Sequence, residues 1–313
     1  MGKNFVSEIF GFPSKNNEKI ATSFRSKFLC PFQDNKYNAF EECDPVNKKS
    51  NLTDEDGKLI LAHQTGACSV YHSFKNQTNK PIIICPYRFL EKNKNGDVKI
   101  FKYIQNKFFN EKILYFIPEI GLKGYGRADW MICNIDESNG SQKITDIAHL
   151  EFQSDATTGT RELVQCVADF FNGKEIEGST YGFGLNSKSS IKGSSLQMID
   201  KGFLFEKLKK KSFWVLQDTL FNILSEIYNV KMLDVTSRDV PKEDTLIFIV
   251  TTLEFNKIEN KYDLEVSKCY SISAATLQRA MSEKIVDHDD MIKTVIESIK
   301  KKIKNKNYYR IMP

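Results

Sequence analysis

The chain has 313 residues, of which 41% are hydrophobic and 23 are phenylalanine, enough for one elaborated domain or two with a sizeable core. No apolar run approaches the roughly 18 residues that a membrane-spanning helix needs, and the charged segment Met1–Phe12 lacks an apolar signal region, so we expect a cytoplasmic protein without a membrane partner. The 45 basic and 40 acidic residues give a net charge of +5, which neither requires nor excludes a nucleic-acid partner, because local patches set the field.

Four of the seven cysteines lie in the amino-terminal part of the chain, at Cys30, Cys43, Cys68 and Cys85. In a reducing compartment such thiols are more often metal ligands than disulfides. Four thiolates complete a closed tetrahedral structural site, and either zinc or iron suits it. Their spacing contains no Cys-x2-Cys pair, so unrelated buried thiols are the alternative interpretation.

The remaining cysteines and two histidines need separate interpretation. Cys133, Cys166 and Cys269 lie in apolar strand or helix contexts and are predicted to be core residues. His63 and His72 flank Cys68 and are alternative ligands to a cysteine.

Two segments after the cysteines form a predicted β-hairpin. Arg127–Asn134 and Ile144–Gln153 are both strand-like, and the polar connection between them contains Asn139-Gly140, a strong hairpin signal. Helices are predicted before them, over Ile20–Phe28 and residues 98–113.

The hairpin carries a candidate catalytic pair, Asp129 and Glu151. Two carboxylates suit Mg²⁺, a hard cation that prefers oxygen ligands and that activates a water for phosphate chemistry. Residues two apart on a strand share a face, so Gln153 points the same way as Glu151. Gln153 occupies the position of the lysine in the Asp…Glu-x-Lys nuclease pattern, where its amide orients a water or contacts a phosphate oxygen without a positive charge. The alternative is an acid pair across a hairpin with no catalytic role.

Three further side chains near the hairpin have two interpretations each. Glu119 is either a third carboxylate for a second cation or a loop acid without a role. Arg127 either neutralises a phosphate or balances the charge of Asp129 on its own strand face. His149 lies two positions before Glu151 and either contacts the site or is a satisfied core histidine.

The second half of the chain alternates helical and strand-like segments. We predict a helix over Thr160–Phe171, a flexible basic loop over residues 178–195, two helices over Phe203–Tyr228, a buried strand over Thr245–Leu253 with a partner strand after it, and a final helix over Ile285–Lys304. The loop either contacts DNA or is an ordinary connector. Together these elements predict a mixed α/β (α+β) fold.

The order of these motifs resembles the NotI-type type II restriction endonucleases over about residues 10 to 220. The motifs are Phe10-Gly11-Phe12-Pro13, Cys30-Pro31-Phe32, Cys43, Gly66-Ala67-Cys68, Ile84-Cys85-Pro86-Tyr87, Ala128-Asp129-Trp130 and Glu151-Phe152-Gln153. The resemblance implies a PD-(D/E)xK fold in its Glu-x-Gln variant, with Asp129 and Glu151 as Mg²⁺ ligands and Gln153 in place of the lysine. It also implies a structural metal on the four cysteines. Ala128 stands where the family name has proline.

The interpretation that follows is a type II restriction endonuclease that cleaves double-stranded DNA with Mg²⁺. Residues 1–97 would hold the four-cysteine metal module and residues 98–313 the catalytic and DNA-binding core. A homodimer is expected, because two-fold protein symmetry mirrors palindromic DNA. The alternatives are a structure-selective repair nuclease of the same fold, a catalytically silent metal-binding module that binds DNA, and a redox sensor that uses the cysteines.

Overall fold

The structure is a computed structural model that describes residues 3–34, 40–42, 65–73, 80–110, 113–136, 143–283 and 288–305. Its strands are β1 Asn4–Ile9, β2 Phe12–Pro13, β3 Leu29–Asp34, β4 Phe40–Glu42, β5 Ala67–His72, β6 Ile82–Ile83, β7 Leu114–Leu122, β8 Gly126–Asp136, β9 Lys143–Gln153, β10 Thr157–Thr158, β11 Gly184–Leu185, β12 Ser212–Gln217, β13 Leu233–Asp234, β14 Leu246–Asn256 and β15 Lys261–Ile272. Its helices are α1 Lys19–Ser26, α2 Lys99–Phe108, α3 Thr160–Phe171, α4 Ser187–Lys207, α5 Asp218–Tyr228, α6 Ala274–Ser282 and α7 His288–Lys304, and a 3₁₀ turn spans Pro86–Leu90. Cys43 and the Asn139-Gly140 turn lie outside the described residues.

A seven-stranded mixed sheet, in the order β13-β15-β14-β12-β9-β8-β7, organises the described fold. β12 runs parallel to both of its neighbours, β9 and β14, and the other neighbouring strands pair antiparallel. Every residue of β12 is buried, as expected for a central parallel strand whose two faces are both covered. The expected mixed α/β class is therefore confirmed.

Helices cover both faces of this sheet. On one face Trp214 and Phe248 pack with residues of α4, α5 and α6. On the other face Phe213 and Ile247 pack with residues of α2. Glu151 on β9 pairs with Trp214 on β12, so its side chain belongs to the α4 face.

A second sheet, β2-β1-β5-β6, packs against α3. Val6 and Ile9 of β1 share one hydrophobic cluster with Leu163 and Val167 of α3. Residues from the amino-terminal cysteine region and from the later part of the chain therefore contribute to the same core.

Several predicted elements are confirmed. The helix Thr160–Phe171 has the predicted bounds, and β8 and β9 form the predicted antiparallel hairpin. β14 and β15 form the predicted pair of buried strand and partner. None of the described helices is long and apolar enough to cross a membrane.

The predicted flexible loop over residues 178–195 is wrong for its second half, because α4 begins at Ser187. Serine and glycine have low helix propensity, but tertiary packing outweighs that preference here. The helix buries one apolar side chain about every second turn, at Ile191, Met198 and Phe205.

The prediction of two helices over Phe203–Tyr228 is confirmed for the end of α4 and for α5 but is wrong for Ser212–Gln217, which forms the strand β12 between them. Ser212–Gln217 is a short apolar run that is buried on both faces. Hydrophobic periodicity does not distinguish such a strand from a segment of buried helix.

A buried arginine joins the second sheet to the seven-stranded sheet. The side chain of Arg88 is 1% exposed, and its Nε lies 3.1 Å from the Glu8 carboxylate on β1. Its other nitrogens donate to Glu91 and to the Tyr262 carbonyl on β15, the latter at 2.8 Å. The Ser69 hydroxyl of β5 donates to Glu8 at 2.6 Å. Because an unpaired buried carboxylate is costly, these bonds fix the second sheet against the first.

We expect Arg88→Met to lower the free energy of unfolding by about 3–5 kcal/mol, since it leaves Glu8 buried without a positive partner. Denaturant unfolding at neutral pH measures this change. Lys80→Met is the control, because it removes an ion pair with Glu254 whose side chains are 35% and 52% exposed. The control should lose less than about 1 kcal/mol. Equal losses in the two variants would contradict the assigned role of Arg88.

Candidate active site at the Asp129–Glu151 hairpin

The register of β8 and β9 places Asp129 beside Glu151. Trp130 pairs with Leu150, so Asp129 and Glu151 are opposite each other one position further along the hairpin. The Asp129 backbone N–H donates to Glu151 Oε1 at 3.2 Å, and the Phe152 N–H donates to Asp129 Oδ2 at 3.0 Å. The structure therefore brings together the two carboxylates that the sequence predicted as a pair.

One oxygen of Glu151 accepts hydrogen bonds from three directions. Besides the Asp129 N–H, its Oε1 lies 2.8 Å from His149 Nε2 and 2.5 Å from Lys201 Nζ. The Glu151 residue is only 6% exposed. The carboxylate is thus held in a single orientation by β8, by its own strand and by α4.

His149 is a satisfied buried histidine that also contacts the site. Its Nδ1 lies 2.8 Å from the Ser212 hydroxyl, which accepts a hydrogen bond from Trp214 Nε1 at 3.2 Å. Because an indole N–H can only donate, the Ser212 proton is directed to Nδ1 and the His149 Nε2–H is directed to Glu151. The Phe205 ring of α4 stacks on the imidazole with centroids 4.9 Å apart. The tautomer of His149 is therefore set by residues of β12.

Lys201 brings a positive charge to the site from α4. Its side chain is 3% exposed, and its Nζ donates to the Arg127 carbonyl at 2.7 Å as well as to Glu151. A buried ammonium needs such a carboxylate partner. The charge that Gln153 does not provide is thus supplied by a residue far away in sequence.

Charge and hydrogen bonding act differently on Glu151 and His149. Burial opposes the charge of Glu151, but the hydrogen bonds from His149 and Lys201 and the charge of Lys201 outweigh it, so the pKa of Glu151 lies below its usual value. Burial lowers the pKa of His149 in spite of its Glu151 partner, and Lys201 acts in the same direction. His149 is therefore neutral at neutral pH, and it holds Glu151 by a hydrogen bond rather than by charge.

Asp129 is shifted in the opposite direction. The residue keeps an exposed surface, but loss of hydration around its carboxyl group, followed by the negative charge of Glu151, raises the pKa of Asp129 to about 6. The hydrogen bond from the Phe152 N–H offsets only part of this. The Asp129 side of the pair therefore has uncompensated negative charge, which a hard divalent cation would relieve.

Glu119 is near the pair along the backbone but is directed elsewhere. The register of β7 and β8 places Glu119 opposite Asp129, and its backbone φ of 55° interrupts the regular strand. Its side chain is 71% exposed and its carboxylate lies 2.7 Å from Arg127 Nη1. Arg127 thus balances the charge of Glu119 rather than that of Asp129.

Gln153 also remains outside the pair. Its Nε2 donates to the backbone carbonyl of Ser154 at 2.9 Å. The described hydrogen bonds of Gln153 include none to Asp129 or Glu151. In this structure the amide is engaged with its own neighbour.

Three of the four amino-terminal cysteines influence one another electrostatically. Cys30, Cys68 and Cys85 are buried and form no disulfide. Burial, and then the neighbouring Cys30, raises the pKa of Cys85 to about 12, and burial and Cys85 together raise that of Cys68 well above its usual value. Cys43 lies outside the described residues, and within the described ranges no three His, Cys, Asp or Glu side chains are grouped so as to hold a metal ion. The other cysteines are buried, as predicted for core residues: Cys133, Cys166 and Cys269.

Sequence reasoning missed Lys201, Ser212 and Trp214. A signal for Lys201 does exist, because it lies between Met198 and Phe205 on the buried face of a helix. A single lysine on an apolar helix face indicates a buried acidic partner. Ser212 and Trp214 have no comparable signal, because their contacts with His149 depend on the parallel pairing of β9 and β12.

Comparisons with known proteins do not identify a family. No protein-family model matches the chain, and no curated protein matches it by sequence. The geometry around Asp129 and Glu151 therefore carries the functional proposal.

We expect Asp129→Asn to stabilise the metal-free protein at about pH 8. A carboxyl group whose pKa is about 6 in the folded state, compared with 3.8 ordinarily, ionises at a cost to the fold, and that cost grows as the pH rises from 3.8 and is complete above about 6. Because Asp129 is partly exposed, the gain should be about 1 kcal/mol or less. Thermal unfolding in a chelator measures it.

The gain should disappear below about pH 4, where Asp129 is protonated in both the folded and the unfolded state. Asp200→Asn is the control, because Asp200 is exposed on α4. A gain from Asp129→Asn that increased toward acid pH would contradict the raised pKa.

Proposed function

We propose that the chain is a Mg²⁺-dependent endonuclease that hydrolyses phosphodiester bonds at a specific sequence in double-stranded DNA, as type II restriction enzymes do. The observation that carries the proposal is the convergence of Asp129, Glu151 and Lys201. Two carboxylates on neighbouring strands with a fixed ammonium beside them suit a reaction in which negative charge develops on a phosphate.

Asp129 and Glu151 would hold the cation. When bound, Mg²⁺ supplies an activated water and neutralises charge on the scissile phosphate. Glu151 is already ionised and oriented by His149 and Lys201. Asp129 becomes a ligand once it has lost its proton, which happens near pH 6. The excess negative charge at Asp129 fits a divalent cation.

Lys201 takes the role that the Asp…Glu-x-Lys pattern gives to a lysine two residues after the glutamate. Its Nζ is anchored by Glu151 Oε1 and by the Arg127 carbonyl, so its third proton remains for a water or a phosphate oxygen. In a PD-(D/E)xK core built on β7, β8, β9 and β12, a lysine of α4 would replace the lysine of the pattern, because α4 lies on the face to which Glu151 points. Gln153 is then a neighbouring polar residue rather than the lysine substitute.

The choice of a restriction enzyme within this class is supported by the order of the cysteine and Ala-Asp-Trp motifs. A homodimer suits this assignment, because two copies of one site related by two-fold symmetry match the two strands of a palindromic sequence. Cleavage at fixed positions separates it from a structure-selective repair nuclease.

We assign a structural zinc or iron to Cys30, Cys43, Cys68 and Cys85. The mutual electrostatic influence of three buried thiols supports this, because a metal would convert thiols that resist ionisation into stable thiolates. The role of this metal would be structural, since four thiolates leave no open coordination position.

Plasmid digestion with Mg²⁺ tests the proposed activity. The wild-type protein should produce discrete fragments, and Asp129→Ala and Glu151→Gln should produce none because each removes a cation ligand. Lys201→Met should slow cleavage by about 100-fold or more, as expected for loss of a group that stabilises developing charge. Lys207→Met is the matched control, because Lys207 is an exposed lysine of the same helix.

Circular dichroism of each variant separates loss of activity from loss of fold. Cleavage that survives in both carboxylate variants would mean that the site lies elsewhere. Cutting at branched or flapped substrates without fixed sites would favour the repair nuclease, and DNA binding without any cutting would favour the silent module.

Metal analysis tests the four-cysteine site. We expect about one zinc or iron per chain in the purified protein, with visible absorption only if the metal is iron. Cys68→Ala should lose the metal, whereas Cys133→Ala, which replaces a buried cysteine outside the set, should keep it. Metal-free wild-type protein, or retention of the metal in Cys68→Ala, would contradict the assignment.

A further inference from the structure

An aromatic pocket lies directly beside the candidate active site. Its volume is about 740 Å³, and Asp129 and Glu119 form part of its wall. Ligand pockets commonly have volumes of roughly 300–1,000 Å³. The aromatic side chains among its described lining residues are Phe32, Tyr87, Phe101, Trp130 and Phe152. The pocket therefore combines flat apolar surfaces with Asp129, an acidic residue of the candidate site.

Two rings of the pocket lie nearly parallel, and a third meets one of them at its edge. The planes of Phe101 and Phe152 lie within 9° of each other, with centroids 6.4 Å apart. The Trp130 ring meets Phe101 edge to face at 5.1 Å. Aromatic side chains of this kind bind nucleobases by stacking, because every base has a π face.

Gln33 of β3 adds a polar group to the same wall. Within the described part of the chain, its Oε1 is buried and accepts no hydrogen bond. An unpaired buried acceptor costs free energy. A ligand N–H that drew the Gln33 amide toward the pocket and bonded its oxygen would remove that cost. A glutamine amide matches the paired donor and acceptor on the edge of a base.

We propose that this pocket takes the base of a nucleotide whose phosphate lies at Asp129 and Glu151. The inference rests on the proposed function, because it uses the nuclease site as the place of the phosphate. It specifies the substrate further: a nucleotide at the cut leaves the base stack, and contacts with Phe101, Phe152 and Gln33 replace part of the lost stacking. A purely apolar ligand would leave the Gln33 oxygen without a donor.

Trp130 provides a direct readout of an occupied pocket. The chain contains two tryptophans, and the other, Trp214, is 1% exposed within the α4 face of the sheet. A base that stacks in the pocket should therefore quench Trp130 emission and leave the Trp214 emission unchanged.

The experiment is a fluorescence titration of the full chain in Mg²⁺ with deoxyadenosine 5′-monophosphate. Deoxyribose 5-phosphate is the matched ligand that lacks the base. We expect saturable quenching by the nucleotide, and we expect the sugar phosphate, added in competition and followed by recovery of emission, to bind at least about tenfold more weakly. Trp130→Phe should abolish the signal. Gln33→Leu should weaken nucleotide binding about fivefold, whereas Gln165→Leu, on α3 and outside the pocket, should not.

Equal binding of the two ligands would overturn the inference, as would quenching that persists in Trp130→Phe. Plasmid cleavage measured on the same preparation separates this result from the proposed function. Cleavage without base-dependent quenching overturns the base pocket alone. Base-dependent quenching without cleavage supports the pocket and overturns the endonuclease.

Discussion

The buried negative charge of Glu151 is the constraint on which the arrangement of β8, β9 and α4 depends. A carboxylate that is 6% exposed stays ionised only where hydrogen-bond donors and positive charge replace its lost hydration. The donors come from three elements: the Asp129 N–H on β8, His149 on β9 and Lys201 on α4. Each donor reaches Oε1 only if its element is correctly placed. One buried carboxylate therefore ties the register of the hairpin to the position of a helix that follows it in sequence.

Local sequence patterns predicted those parts of the fold whose signals are local. Thr160–Phe171 shows helical spacing, and the Asn139-Gly140 signal lies between two strand-like segments, so the helix and the two strands were found with nearly correct bounds. Asp129 and Glu151 could be named for the same reason, since a two-strand register brings them together. Both interpretations of His149 are correct: it is a satisfied core histidine, and it contacts the candidate site because its partner is Glu151.

The predictions that failed concern elements whose structure depends on contacts between segments far apart in sequence. α4 looks like a polar loop, and its helical form comes from the burial of one face against β12 and its neighbours. Ser212–Gln217 looks like a helix because a central parallel strand has no polar alternation. Lys201 lies between the predicted loop and the predicted helices, in a stretch assigned to neither, so the positively charged residue of the site was missed together with the helix that carries it. Glu119 was placed correctly along the backbone, but its left-handed φ and its Arg127 partner turn the carboxylate outward.

Glu151 and Asp129 differ in how far their negative charges are compensated, and this difference affects metal binding. Glu151 is fully compensated without a cation, whereas Asp129 keeps a pKa of about 6 because its carboxyl group loses hydration and because Glu151 repels its charge. A cation that binds the pair must therefore displace the proton of Asp129 at acid pH, but not that of Glu151. Cation affinity should fall as pH drops through 6, since one proton then competes for the site. The preformed Glu151 fixes where a cation would bind, and the titration of Asp129 sets the pH range in which it can bind.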